Sequence, residues 1–98
     1  MTINTKKDGN EMTIAISGRL DTSTAPKLEA AIKDDIGGIR NLIIDVKDLD
    51  YISSAGLRVL LSTQKKMNQQ GKMKVVNVNE TVMEIFEITG FTDILTID

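Results

Sequence analysis

Two adjacent hydroxyls, Ser53 and Ser54, stand where the aliphatic stretch "NLIIDV" gives way to "SSAGLRVLL". A serine at that junction has two uses. Its oxygen can cap the free N–H groups of a starting helix. It can also carry a phosphate, because a helix N-terminus offers those same N–H groups and a partial positive charge to an anion. Phosphate there adds nearly two negative charges and three acceptor oxygens to the surface. A third use, nucleophilic catalysis, lacks its apparatus. The chain has no histidine and no cysteine, no G-x-S-x-G elbow precedes the helix, and Lys65 and Lys66 fall about three turns beyond Ser54.

Carboxylates are the other candidates. Asp45, Asp48 and Asp50 cluster ahead of Tyr51, and Asp21 lies in an earlier loop. Paired carboxylates can hold Mg²⁺, but acidic residues between elements more often shape solvated turns, and "KDLD" reads as such a turn. Gly37-Gly38 lacks the lysine and spacing of a phosphate loop. "QKKM" and "GKMK" read as the solvated ends of a helix and a strand. Thiolate metal sites, disulfides and imidazole catalysis are excluded by composition. A net charge of −2 with dispersed lysines and arginines leaves no basic face for nucleic acid. The apolar runs are too short to span a bilayer, so the expected setting is soluble and cytoplasmic, with no cofactor and no membrane insertion.

The elements that position these groups follow from periodicity. The chain of 98 residues is one domain, and with a single Tyr and two Phe its core must be built from Ile, Leu and Val. "TINTKK" is a weak strand and "MTIAIS" a strong one, alternating Met12, Ile14 and Ile16 against polar or small residues. "DGN" joins them, with Asp8-Gly9 at the centre of a hairpin turn. Ala25, Leu28, Ala31, Ile32 and Ile36 mark one face of a helix, capped by Ser23 or Thr24, with Pro26 in its first turn and Gly37-Gly38 at its end. "NLIIDV" reads as a strand covered on both faces. Leu57, Leu60, Leu61, Gln64 and Met67–Asn68 form the stripe of a second helix that stops at Gly71. "MKVVNV" is a strand. "ETVMEIFEITG" is a helix with Val82, Ile85, Phe86 and Thr89 inward and Gly90 closing it, and "DILTI" is a final strand. The order β-β-α-β-α-β-α-β implies an α/β domain with a mixed, mostly parallel sheet and helices packed against it. Functional loops of such sheets lie at the carboxyl ends of strands. Here those are "GRLDTST" and "DLDYISSAG", which meet on one edge if their strands are neighbours.

With these residues in place, "NLIIDVKDLDYISSAGLRVLL" resembles the signature of the STAS domain, and in particular the small bacterial anti-sigma factor antagonists. That signature is an aliphatic strand ending in Asp, a short loop, an aromatic, a residue usually Met or Ile, then Asp-Ser-x-Gly-Leu. "ISGRLDTSTAPKLEAAI" is similar to the family's Gly-x-Leu/Ile-Asp segment, and "GKMKVVNVNETVMEIFEITGFTDILTI" to its later strand, helix and closing strand. The resemblance covers essentially all of residues 1–98. It implies a binding protein and not an enzyme. In this family the unmodified antagonist captures an anti-sigma factor that is also an ATP-dependent serine kinase, which frees the sigma factor. The kinase phosphorylates the signature serine and breaks the complex, and a PP2C-type phosphatase reverses the step. Aligned through Gly56-Leu57, that serine is Ser54, with Ala55 at the variable position. Asp21, Ser53, Ser54, Gly56 and Arg58 then belong to the partner-binding surface, flanked by Thr63 and Lys65 to Lys66. Ser53 stands where the family usually has Asp, which removes a charge and adds a second hydroxyl that could compete as acceptor. Many relatives carry a further helix beyond the position of Asp98, so one face of the sheet is expected to be less covered, or covered by a partner. The competing expectation is a STAS subunit with a structural role in a signalling or lipid-transport complex, its serine unmodified. Small members of the family are mostly monomeric, and nothing in the sequence requires a dimer.

Overall fold

The computed structural model describes all residues from Met1 to Asp98. The alternation of Met12, Ile14 and Ile16 organises the sheet. All three are essentially excluded from solvent, and they set the register on both sides of β2 (Glu11–Leu20). On one side β2 pairs antiparallel with β1 (Thr2–Asp8), Ile3 opposite Ile16. On the other it pairs parallel with β3 (Asn41–Ile52), Met12 opposite Leu42 and Ile14 opposite Ile44. β4 (Lys72–Val76) continues the parallel ladder with Met73 beside Leu42 and Val75 beside Ile44. The sheet order is β1-β2-β3-β4. The hairpin turn lies one residue later than the sequence suggests: Asp8 pairs with Glu11, leaving Gly9, at φ 61°, and Asn10 as its two central residues.

Three helices bury their apolar stripes in the same cluster as Met12, Ile14, Leu42, Ile44, Met73 and Val75. α1 (Ala25–Asp35) contributes Ala25, Leu28 and Ile32. α2 (Ser54–Gln70) buries Leu57, Leu60, Gln64 and Met67, as the pattern indicates, together with Val59 and Thr63, while Leu61 is half-buried and Asn68 exposed. α3 (Glu80–Thr89) contributes Val82 and Phe86. Thr89 is exposed, its hydroxyl donating to the carbonyl of Ile85 at 2.7 Å, so its inward placement is corrected. Gly90, at φ 78°, closes the helix in the left-handed conformation that favours glycine. A 3₁₀ turn (Phe91–Asp93) follows. The closing strand is a single parallel bridge of Ile97 to Val75, held by Val75 N–H to the Thr96 carbonyl at 2.8 Å and Asp98 N–H to the Val75 carbonyl at 3.0 Å.

The expectation that "NLIIDV" is covered on both faces is overturned. The helices all lie against the face of Leu42, Ile44 and Val46, and the opposite face, including Ile43 and Asp45, is only half-buried. β3 is also longer than its aliphatic run. It continues through "KDLD" to Ile52, so that segment is strand and not a solvated turn. The reason lies in β2. Ala15 and Ser17 face Asp45 and Asp48, and Gly18 and Arg19 face Leu49 and Tyr51, so β3 carries one extra residue at each of two irregularities. Val46, Leu49 and Ile52 can then all point into the core.

Candidate functional site

β2 and β3 are parallel neighbours, so their carboxyl ends lie side by side, Leu20 in register with Ile52. The amide of Ser53 donates to the carbonyl of Leu20 at 2.8 Å, tying the start of α2 to the end of β2. The Asp21 and Ser53–Ser54 loops therefore meet on one edge of the sheet.

Within that edge the two serines differ. Ser53 is the N-cap of α2 in extended conformation, yet its side chain makes no capping bond, and its Oγ is buried without a partner. Ser54 is the first residue of the helix and is exposed. The first intrahelical bond runs from Leu57 N–H to the Ser53 carbonyl at 2.9 Å, which leaves the amides of Ser54, Ala55 and Gly56 without an acceptor in the chain. A reagent approaching from solvent meets the exposed Ser54. It cannot reach Ser53 Oγ without opening the helix start.

Asp21 is engaged by its own loop. Its Oδ1 accepts from the Ser23 hydroxyl at 2.8 Å, the Ser23 amide at 3.0 Å and the Thr24 amide at 3.1 Å. The Ser23 hydroxyl bond, followed by the amides of Thr24 and Ser23 and the Thr24 hydroxyl, holds the carboxyl below its ordinary value against a smaller opposing effect of desolvation. Thr24, the N-cap of α1, uses its hydroxyl to accept from Asp21 N–H and donate to the Arg19 carbonyl, both at 2.8 Å, and not to cap the helix. Asp21 thus fixes the path of the loop beside Ser54. Asp45 is engaged elsewhere, accepting from the amide of Lys47 at 3.0 Å and Nδ2 of Asn77 at 3.1 Å. No three acidic side chains converge on a cation-sized site.

Gly56 is buried, and a Cβ there would lie 2.6 Å from Leu20 Cγ and 2.9 Å from Ile52 Cγ1. It lets the first turn of α2, with Ser54, sit directly on the strand ends. Arg58 is exposed one turn after Ser54 and lines a groove of about 460 Å³ between α1 and α2 with Thr22, Pro26, Ala55, Ser62 and Lys65. Lys66 lies further along the α1–α2 seam, and Thr63 is buried there, its hydroxyl donating to the Val59 carbonyl at 2.7 Å. Sequence reasoning missed Arg19 and Tyr51, whose guanidinium and ring stack with 4.5 Å to the ring centroid. The pair arises because residues 19 and 51 are in register across β2 and β3, which periodicity within either segment does not reveal.

Residues 2–98 match the STAS domain family. The chain is a STAS domain. Among its relatives, BtrV of Bordetella bronchiseptica is 38% identical over 84 residues, 84% of this chain and 72% of its own. The anti-sigma-B factor antagonist of Bacillus subtilis is 32% identical over 96 residues, 97% of this chain and 88% of its own. The unphosphorylated form of the anti-sigma factor antagonist SpoIIAA superposes with a TM-score of 0.85 at 19% identity, over 99% of this STAS domain and 88% of its own chain. The phosphorylated form of the Bacillus cell fate determinant SpoIIAA superposes with a TM-score of 0.77 at 18% identity, covering 99% and 91%. These likenesses bear out the α/β fold, its element order and the resemblance to bacterial anti-sigma factor antagonists. No helix of this STAS domain is long and apolar enough to cross a membrane.

Proposed function

We propose that this STAS domain is an anti-sigma factor antagonist that works by partner switching. Unmodified, it binds an anti-sigma factor serine kinase through the edge formed by the Asp21 loop, Ser54 and the exposed side of α2 with Arg58. The kinase then transfers the γ-phosphoryl group of ATP to Ser54 Oγ, ADP leaves, and the hydroxyl proton passes to a base on the kinase. A PP2C-type phosphatase hydrolyses the ester and restores the binding form. The observation that carries this reading is the asymmetry of the serines: Ser54 is exposed at the centre of the edge, and the hydroxyl of Ser53 is buried. The sequence likeness to a protein named an anti-sigma-B factor antagonist supports the partner class. SpoIIAA, which shares the fold, exists in phosphorylated and unphosphorylated forms.

The switch is electrostatic. A phosphate on Ser54 is tolerated by the free amides of the first turn, so the fold is unchanged while a dianion enters the contact. Placing it against an apolar or like-charged partner surface costs several kcal/mol, and about 4 kcal/mol is roughly a thousandfold in occupancy. The test is incubation with the anti-sigma factor kinase and ATP, followed by intact-mass measurement of wild type and Ser54→Ala. One phosphate is expected on the wild type and none on the variant. Equal phosphorylation of both would refute Ser54 as the acceptor. Ser54→Asp is expected to lose kinase binding while melting like the wild type.

A further inference from the structure

Arg58 stands on α2 without a counter-charge. The helix sequence, SAGLRVLLSTQKKMNQQ, contains no Asp or Glu. Arg58 is exposed and belongs to none of the ion pairs of the chain. Its groove holds one acid, Glu29 of α1, which pairs with Lys33 at 3.6 Å. The residues three and four positions away, which share its helix face, are Ser54, Ala55, Leu61 and Ser62. Of the two hydroxyls, that of Ser62 donates to the Val59 carbonyl at 3.1 Å. Helical side chains lean toward the N-terminus of their helix, so the polar neighbour toward which Arg58 extends is Ser54. The Cβ atoms of such a pair stand about 5–6 Å apart, a gap that a guanidinium side chain spans. Other charges at this edge offer no equivalent. Arg19 is stacked on Tyr51, and Asp21 is bonded within its own loop. Asp50 and Glu80 are exposed acids. Lys27 is exposed in the first turn of α1 but does not line the groove, and Lys65 is about 16 Å beyond Ser54 along the helix axis.

We propose that Arg58 is the built-in counter-ion of phosphorylated Ser54, its guanidinium closing onto the phosphate oxygens four residues back on its own helix. The pair has the favoured polarity, with the anion nearer the N-terminus and the cation one turn on. Arg meets phosphate through two parallel N–H···O bonds. Modification then acts twice on the docking edge: it adds a dianion, and it withdraws the cation that the unmodified edge offers to the kinase. The inference deepens the proposed function and rests on Ser54 as the acceptor.

The test uses the full chain with phosphoserine installed at position 54 by genetic encoding, so that the pair is read independently of the kinase. The ³¹P resonance is followed across the second ionisation of the phosphate, which lies near about pH 6. Arg58 favours the dianion, so the midpoint should lie about 0.2–0.4 pH unit lower with Arg58 present than in Arg58→Gln. Arg58→Lys, which keeps the charge, should retain part of that lowering. In about 1 M salt, where the screening length is about 3 Å, the difference should shrink. Arg19→Gln, Lys27→Gln and Lys65→Gln should leave the midpoint in place. Equal midpoints with and without Arg58, or an equal rise in any of those three variants, would overturn the pair. Failure of the kinase to modify Ser54 overturns the proposed function, whereas a ³¹P titration indifferent to Arg58 overturns this inference alone.

Discussion

Replacing a serine at a helix N-cap by alanine ordinarily costs about 1 kcal/mol, because a capped amide loses its acceptor. At Ser53 the opposite sign is expected. The side chain accepts from no amide of α2, so no capping bond is lost. Its Oγ is buried without a partner, and an unpaired buried polar group costs about 1–3 kcal/mol. Ser53→Ala removes that group and leaves a void smaller than a methyl, so the net change should lie between zero and about 1 kcal/mol of added stability. With an m-value of about 2 kcal/mol/M, the urea midpoint should stay in place or rise by up to about 0.5 M. Asn79, the N-cap of α3, is the internal contrast. Its Oδ1 accepts from Val82 N–H at 2.9 Å and its Nδ2 donates to the Leu49 carbonyl at 2.7 Å. Asn79→Ala breaks both and should lower the midpoint by about 0.5–1 M, a loss of about 1–2 kcal/mol. Measured side by side by fluorescence of Tyr51 or by circular dichroism, the two variants should move in different directions. A fall of about 0.5 M for Ser53→Ala would show that its hydroxyl does cap α2, and the reasoning from its burial would be wrong.

Other consequences can be checked directly. Gly56→Ala drives a Cβ against the buried Leu20 side chain; overpacking of about 1–3 kcal/mol exceeds the helix-propensity gain of about 1 kcal/mol, so thermal melts should fall by several degrees. Because the Asp21 carboxyl titrates below its ordinary value of 3.8 in the folded chain, its contribution is present above that value and lost as pH drops through the folded pKa. The stability difference between wild type and Asp21→Asn should accordingly shrink between about pH 5 and pH 2 in urea titrations at each pH. A constant difference across that range would mean that the loop bonds do not favour the carboxylate.

The order of elements was legible because each is set by local chemistry: the alternation of Met12, Ile14 and Ile16, the stripe of Leu57, Leu60, Gln64 and Met67, and the stops at Gly71 and Gly90. What escaped depends on residues distant in the chain. The irregularities that carry β3 through Lys47 to Asp50 are defined against Ala15 to Arg19, and with two residues between buried Val46, Leu49 and Ile52 the segment imitates a turn. The one-sided cover of the sheet follows from all three helices choosing one face, which an aliphatic run such as Leu42 to Ile44 does not declare. At the site, the spacing of Ser53 and Ser54 marked the helix start and the family pattern singled out Ser54. The burial that separates the two hydroxyls required the packing of α2 on Leu20 and Ile52. Arg19 over Tyr51 was hidden for the same reason: it exists only in register.

The parallel pairing of β2 with β3, Met12 against Leu42 and Leu20 against Ile52, also governs when the chain acquires its surface. Such pairing between segments far apart in sequence demands the closure of a long loop before any contact rewards it, so it forms late relative to local turns and helices. Both loops of the Ser54 edge depend on that closure. A chain emerging during synthesis, or one partly unfolded by heat, lacks the edge that these two loops form. Formation of this edge is therefore a report on completed folding, and protection of the Ser53 amide, which donates to the Leu20 carbonyl, from hydrogen exchange should appear only with the global fold.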